Sequence, residues 1–169
     1  MEDVTLRHEI ETDEDTYWWK IVFDEAFNKK MYVGHMHFPE WSLLESTDSE
    51  SELTRKVRVE PEVGNLPGPV KKVLGDKLSY LEEGTFDKKT KRYRFKVTPS
   101  SLADRTKVAG EMWVETLGPK KIARMCKISV EVKVFAIGGM VEKRIADDLR
   151  GSYDRGTAYT NDYLENNAL

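Results

Sequence analysis

The chain has almost no cysteine. A single thiol, Cys126, among 169 residues excludes an internal disulfide and a cysteine-based zinc site, and it suits a reducing compartment. Histidine is nearly as scarce, at three residues. No uninterrupted apolar run approaches the roughly 20 residues that span a bilayer. The opening MEDVTLRHEIETDED is acidic and has no apolar run behind a basic start, so no secretory signal is expected and the chain reads as cytoplasmic. Neither a GxSxG elbow nor a glycine-rich phosphate loop occurs, which removes the usual frames for a serine nucleophile and for nucleotide phosphates. A formal net charge of −3 gives no general affinity for nucleic acid.

What is present is a charged surface and enough apolar material for one core. Hydrophobic residues make up 39% and charged residues 34%, as in a globular domain, and the length suits a single domain over 1–169. Val4, Leu6, His8 and Ile10 alternate with polar neighbours, the period of a half-buried strand. Asp13 follows as a helix N-cap, with Glu14 and Asp15 placed in the first turn. TYWWKIVFDEAFNKKMYVG then reads as one or two amphipathic helices ending near Gly34. From Trp41 the period changes to two. WSLLEST, LTRKVRVE, LSYLEEGTFD, RYRFKVT, VAGEMWVETLG and IARMCKISVEVKV read as six strands on hairpin-length connections. One connection is longer: PEVGNLPGPVKKVLGDK carries three prolines and three glycines.

The last segment, Ala136 to Leu164, reads as one long helix with an oddly thin apolar stripe. At about 100° per residue its stripe collects Val141, Ile145, Leu149, Ser152, Gly156, Tyr159 and Tyr163. Ser152 and Gly156 stand where a core-packing helix carries Leu or Ile, and an internal glycine costs about 1 kcal/mol relative to alanine. Another backbone or a bound molecule must come close to this face. Six consecutive hairpin-linked strands form one bent antiparallel sheet whose apolar face needs cover. The last helix, at about 1.5 Å per residue, is long enough to provide it.

This order of strand, helices, six strands and long helix resembles the START-like (SRPBCC, helix-grip) superfamily, which includes polyketide cyclases and birch-pollen-allergen-like proteins. At residue level the resemblance rests on Trp18–Trp19 and on GGMVEK at 138–143, and is nearest to an uncharacterised bacterial family within that group. It implies an α+β fold in which a curved seven-stranded antiparallel sheet grips the C-terminal helix, with two short helices after strand 1. It also implies a deep cavity that holds a hydrophobic molecule, commonly a lipid, sterol or polyketide.

Alternation proposes the cavity wall. The inward set contains Arg55 and Val57, Tyr80 and Glu82, Tyr93 and Phe95, Met112 and Val114, and Arg124, Cys126 and Ile128. Ile145, Ser152 and Gly156 of the helix complete it. Arg55, Glu82 and Arg124 interrupt an otherwise apolar lining. Buried unpaired charge is costly, so these three pair with one another, lie at the mouth or meet a charged ligand. A guanidinium fork suits a carboxylate or phosphate head. A one-residue slip of register would instead turn them to solvent.

Leu66, Val70, Val73 and Leu74, beside Lys71 and Lys72, are candidates for a lid or portal with transient contact to a membrane surface; an ordinary loop helix is the alternative. His35 and His37, near Glu40, form an HxH pair, but no further ligand motif accompanies them, so no metal and no cofactor is expected. Cys126, among apolar neighbours, is expected to be inert. Trp18 and Trp19 cannot both face one core. The functional expectation is binding or transfer of a lipid-like or fatty-acid-like small molecule in this cavity. The alternatives are a cyclase- or dehydratase-type enzyme with Glu82 as acid or base, and an interaction module whose cavity is filled by its own side chains. No oligomeric state is assigned.

Overall fold

A computed structural model describes residues 1–169. Its strands are β1 (Glu2–Ile10), β2 (Glu40–Asp48), β3 (Glu52–Glu60), β4 (Tyr80–Asp87), β5 (Arg92–Pro99), β6 (Thr106–Gly118) and β7 (Lys121–Val132). They form one antiparallel sheet of seven strands in the order β1-β7-β6-β5-β4-β3-β2. Only β1 leaves sequence order; it closes the sheet beside β7. The helix α4 (Gly138–Asn166) begins and ends two residues later than its sequence pattern suggests, and it packs on β1 and β7. This is the helix-grip arrangement. No helix of the molecule is long and apolar enough to cross a membrane.

The segment after β1 is two helical pieces, each of which changes pitch. Asp13 caps α1 (Glu14–Thr16) by accepting the Thr16 N–H at 2.9 Å. The chain runs straight on into a π-helical turn (Tyr17–Val22), closed by the Phe23 N–H donating to Trp18 O. Asp24 caps α2 (Glu25–Lys29), which continues into a second π-helical stretch (Lys30–His35). The wider pitch draws the buried face together. Tyr17, Trp18, Ile21 and Val22 are all buried, a spacing of i, i+1, i+4 and i+5 that an i→i+5 turn brings to one side. Trp18 lies inside against Tyr17, Phe23 and Phe86, whereas Trp19 remains 36% exposed beside Phe23 and Phe86.

Asn28 joins the two pieces. Its buried side-chain amide donates to the carbonyl oxygens of Ile21, Val22 and Asp24 at 2.9, 3.0 and 2.7 Å. The first two oxygens lie where the first piece ends and the third belongs to the cap of the second, so one side chain ties both pieces.

The inward faces of the strands are those the alternation indicates. Leu53, Phe86, Tyr93, Phe95, Met112 and Ile128 belong to the main core with Val4, Leu6 and Ile10. A smaller cluster of Met36, Phe38, Trp41, Val57 and Val59 fills the β2–β3 end. Beyond β3, residues 61–67 lead into α3 (Gly68–Leu74), whose Val70 and Leu74 turn into the core.

Candidate functional site

Sheet and α4 do not close on one another. Between them lies a cavity of about 420 Å³ that the protein's own side chains do not fill. Its floor is the inward face of β3 to β7, its roof is the Ile145–Thr160 stretch of α4, and its end wall comes from the first helices through Tyr17, Met31 and Tyr32. Its rim carries Pro61, Glu62, Val63 and Leu66 from the β3–α3 connection and Arg144, Asp147 and Asp148 from α4. Arg144 ties the two sides of the rim by donating to Asn65 O at 2.8 Å.

Two strand glycines shape the floor. A Cβ on Gly84 would overlap the hydroxyl and ring of Tyr93, and one on Gly110 would overlap the Phe95 ring and lie 2.9 Å from Lys127 O. The two rings therefore lie flat on bare backbone, stacked with centroids 5.7 Å apart, rather than standing into the hollow. The roof uses small residues. Ser152 lines the cavity, and Gly156 both lines it and receives Met31, whose sulfur would sit 3.4 Å from an added Cβ.

Arg55, Tyr80, Glu82, Tyr93, Phe95, Met112, Arg124, Ile128, Ile145, Ser152 and Gly156 all line this space, and so do Leu66 and Leu74. Val57, Val114, Cys126, Val70 and Val73 do not. Val57 is spent in the β2–β3 cluster, Val114 packs on the edge of the main core, and Val70 is fully buried beneath α3, with Val73 half-buried on the same helix. Cys126 lies behind the wall, its thiol directed to the Tyr153 hydroxyl at 3.6 Å, and burial pushes that thiol up to about 11. His35 packs against the Tyr159 ring, and His37 has a left-handed φ of 58° instead of a strand conformation, so the two imidazoles do not share a strand face.

The polar groups of the wall form two sets with different degrees of satisfaction. In the first, Arg55 donates to the Tyr93 hydroxyl at 3.0 Å, to Val22 O at 2.7 Å and to Glu82 Oε1 at 3.3 Å. Tyr93 donates to that same oxygen at 2.6 Å. Each of the three guanidinium nitrogens has a partner, and the Phe23 and Tyr93 rings lie 5.3 Å from its centre. Burial, and then the charge of Glu82, push the Tyr93 phenol far above its ordinary range, so it remains a protonated donor.

In the second set, Arg124 is only 8% exposed, and both of its hydrogen bonds use Nη2. That nitrogen donates to His8 Nδ1 and to Thr157 Oγ1, each at 2.8 Å. A guanidinium only donates, so Nδ1 accepts and the His8 proton sits on Nε2, from which it reaches Asp154 at 2.7 Å. Arg124 Nε is buried without any partner. The Tyr153 ring lies 4.7 Å from the guanidinium centre.

Sequence reasoning did not find Tyr17, Met31, Tyr32 or Tyr153 in the lining. The first three come from π-pitched segments that read as ordinary amphipathic helix, and Tyr153 is the immediate neighbour of Ser152 on the helix. Gly84 and Gly110 did carry a signal, since both fall on inward positions of their strands.

A family model described as "Protein of unknown function (DUF2505)" matches residues 5–164. The chain belongs to this family. No curated protein sequence matches it. Among solved structures, the chain is similar to a START superfamily protein from Mycobacterium smegmatis, at 16% identity, TM-score 0.63, over 96% of this chain and 98% of that one. It is also similar to the Zhui aromatase/cyclase from Streptomyces sp., at 13% identity, TM-score 0.62, over 98% and 92%. A third similar structure is norcoclaurine synthase from Thalictrum flavum in complex with dopamine and hydroxybenzaldehyde, at 13% identity, TM-score 0.64, over 99% and 89%. At such identities the likeness is one of fold: the DUF2505 chain has the START-like architecture.

Proposed function

We propose that this protein binds a hydrophobic small molecule, of lipid-like or fatty-acid-like character, in the cavity between sheet and α4. The observation that carries the reading is the cavity itself, about 420 Å³ of mostly apolar-lined space, within the range of small-molecule sites. Apolar contact supplies the affinity, at about 25 cal/mol per Å² buried before the costs of association. Leu66 and Leu74 form part of the cover on the rim side; with Val70 buried, α3 is held to the body and does not present an apolar face outward.

The test uses the neutral fluorophore N-phenyl-1-naphthylamine. Its emission rises on entering an apolar site, and it should do so saturably with the wild-type protein. Ser152→Phe, which fills the roof, should abolish the rise. Absence of binding by the wild type, or binding undiminished in a folded Ser152→Phe protein, refutes the reading.

A second reading is favoured by one feature: Glu82, in the wall with Tyr93 and Arg55, leaves Oε2 outside that hydrogen-bonded set. A cyclase- or dehydratase-type enzyme would use it as acid or base. Under that reading Glu82→Gln abolishes turnover of an aromatic polyketide-like substrate while ligand affinity survives.

A further inference from the structure

The cavity lining as a whole carries four arginines and four carboxylates, but among the groups of its sheet wall, Arg55, Glu82 and Arg124, the charge does not balance. Arg55 and Glu82 cancel, being paired at 3.3 Å. Arg124 has no such partner. Its two acceptors, the neutral His8 Nδ1 and the Thr157 hydroxyl, carry no charge. The nearest carboxylate linked to it is Asp154, one imidazole away, with its side chain 70% exposed. A buried cation in a low-dielectric wall is costly without a counter-charge, and an unpaired buried N–H adds to that cost. Arg124 has both, since its Nε is the one buried side-chain polar atom of the molecule without a hydrogen-bond partner.

The two arginines are thus not equivalent. Arg55 is committed through all three nitrogens to Tyr93, Val22 and Glu82, and its role is to fix the floor. Arg124 is held in place from behind by His8 and Thr157 and keeps donor capacity in reserve. It lies among the lining residues with the apolar Met112 and Ile128. Tyr17 and Tyr153, also in the lining, have phenols pushed up by burial and so remain neutral. As neutral hydroxyls they can donate to a negative charge, and Arg124 itself acts on the Tyr17 phenol, partly offsetting the effect of its burial.

We propose that the ligand is an anion with an apolar body, specifically a carboxylate, and that its acidic end is taken by Arg124 and not by Arg55. This deepens the binding reading above and rests on it. The carboxylate supplies the counter-charge that Arg124 lacks and accepts from the guanidinium, while the apolar body occupies the space under Ile145, Leu149 and Ser152.

The experiment compares decanoate with decan-1-ol, equal in chain length and different in charge, as competitors for N-phenyl-1-naphthylamine at neutral pH. With the wild-type protein, decanoate should displace the fluorophore at a concentration about tenfold lower or more than the alcohol, the factor for one charge-assisted hydrogen-bonded contact. In Arg124→Gln the ratio, measured within that protein, should fall to near one. Arg124→Lys, which keeps the charge, should retain part of it. Equal displacement by acid and alcohol in the wild type overturns the proposal, as does a tenfold ratio that survives in Arg124→Gln. Should Arg124→Gln fail to fold, the wild-type ratio still tests the preference for a carboxylate, and Arg124→Lys tests which group takes it. The ratio in Arg124→Lys must fall below that of the wild type if Arg124 is that group; an undiminished ratio overturns the assignment. Failure of the fluorophore to bind the wild type is a different result: it removes the cavity reading and this inference with it.

Discussion

Gly84→Ala is the sharpest test of how the floor is built. The added methyl would lie well under 3.0 Å from the hydroxyl and ring carbons of Tyr93, so the ring must lift off the strand. Its hydroxyl cannot then keep both the 2.6 Å bond to Glu82 and the 3.0 Å bond from Arg55. Each is a hydrogen bond to a charged group, worth about 1.5–3 kcal/mol. Losing both costs about 3 kcal/mol at the low end, offset by about 0.5–1 kcal/mol from the lower conformational entropy of an alanine chain. A net loss of about 2–4 kcal/mol is expected, read as a lower midpoint in urea unfolding at unchanged slope. Tyr93→Phe deletes the same two bonds by another route. The two changes should therefore be far from additive, the double variant costing less than the sum by about 2 kcal/mol or more. The lifted ring also enters the hollow, so fluorophore binding should weaken in Gly84→Ala. A variant within about 0.5 kcal/mol of wild type, or a strictly additive double variant, would refute the claim that the glycine exists to seat this ring.

Two further outcomes are expected. Asn28→Asp keeps the shape but turns a donor to three carbonyl oxygens into an acceptor; it should cost about 2–4 kcal/mol in urea unfolding, and a cost below about 1 kcal/mol would mean the two helical pieces are joined by packing alone. Glu142 accepts the Val132 N–H at 2.8 Å, which holds its carboxyl below the ordinary value of 4.5. A pKa depressed by folding gives stability that is full above the unfolded value and lost as pH falls through the folded one, so thermal stability should drop below about pH 4.5 more steeply in wild type than in Glu142→Gln. A constant difference between the two proteins from neutral to acid pH would count against this.

Much of this molecule is legible in its sequence because a sheet has an unambiguous period. Leu53, Phe86, Tyr93, Met112 and Ile128 face inward as alternation demands, and a single buried face leaves no freedom of register. What alternation does not reveal is where the hollow stops. Val57 and Val114 face the right way, yet Phe38 and Trp41 close one end and core packing the other, both set by chain segments distant in sequence. The pitch of the first helices was equally hidden, since i, i+4 spacing serves α and π turns alike. The difference between Arg55 and Arg124 lies wholly in their partners: Val22 O, His8 and Thr157 come from three other elements. Alternation puts Gly84 and Gly110 on inward strand positions, but only the structure shows that they are seats for the Tyr93 and Phe95 rings.

The same devices decide what the hollow means. Space of about 420 Å³ left unfilled forgoes packing contacts of the kind that stabilise a closed core. One larger side chain could recover some of them. Leucine at 152 in place of serine, or alanine in place of glycine at 156, requires no change of backbone conformation. The floor instead lays its two rings flat on glycine, the roof carries a serine and a glycine in its stripe, and a cation with an unused donor is held in the wall. The ring seats, Ser152 and the Arg124 donor each work against close packing at the same place, as the proposed binding role requires. The trade also has a direction. Ser152→Phe should raise the unfolding midpoint as it removes ligand binding; a variant that loses binding with no gain in stability would mean that the phenylalanine had strained the helix rather than filled the space beneath it.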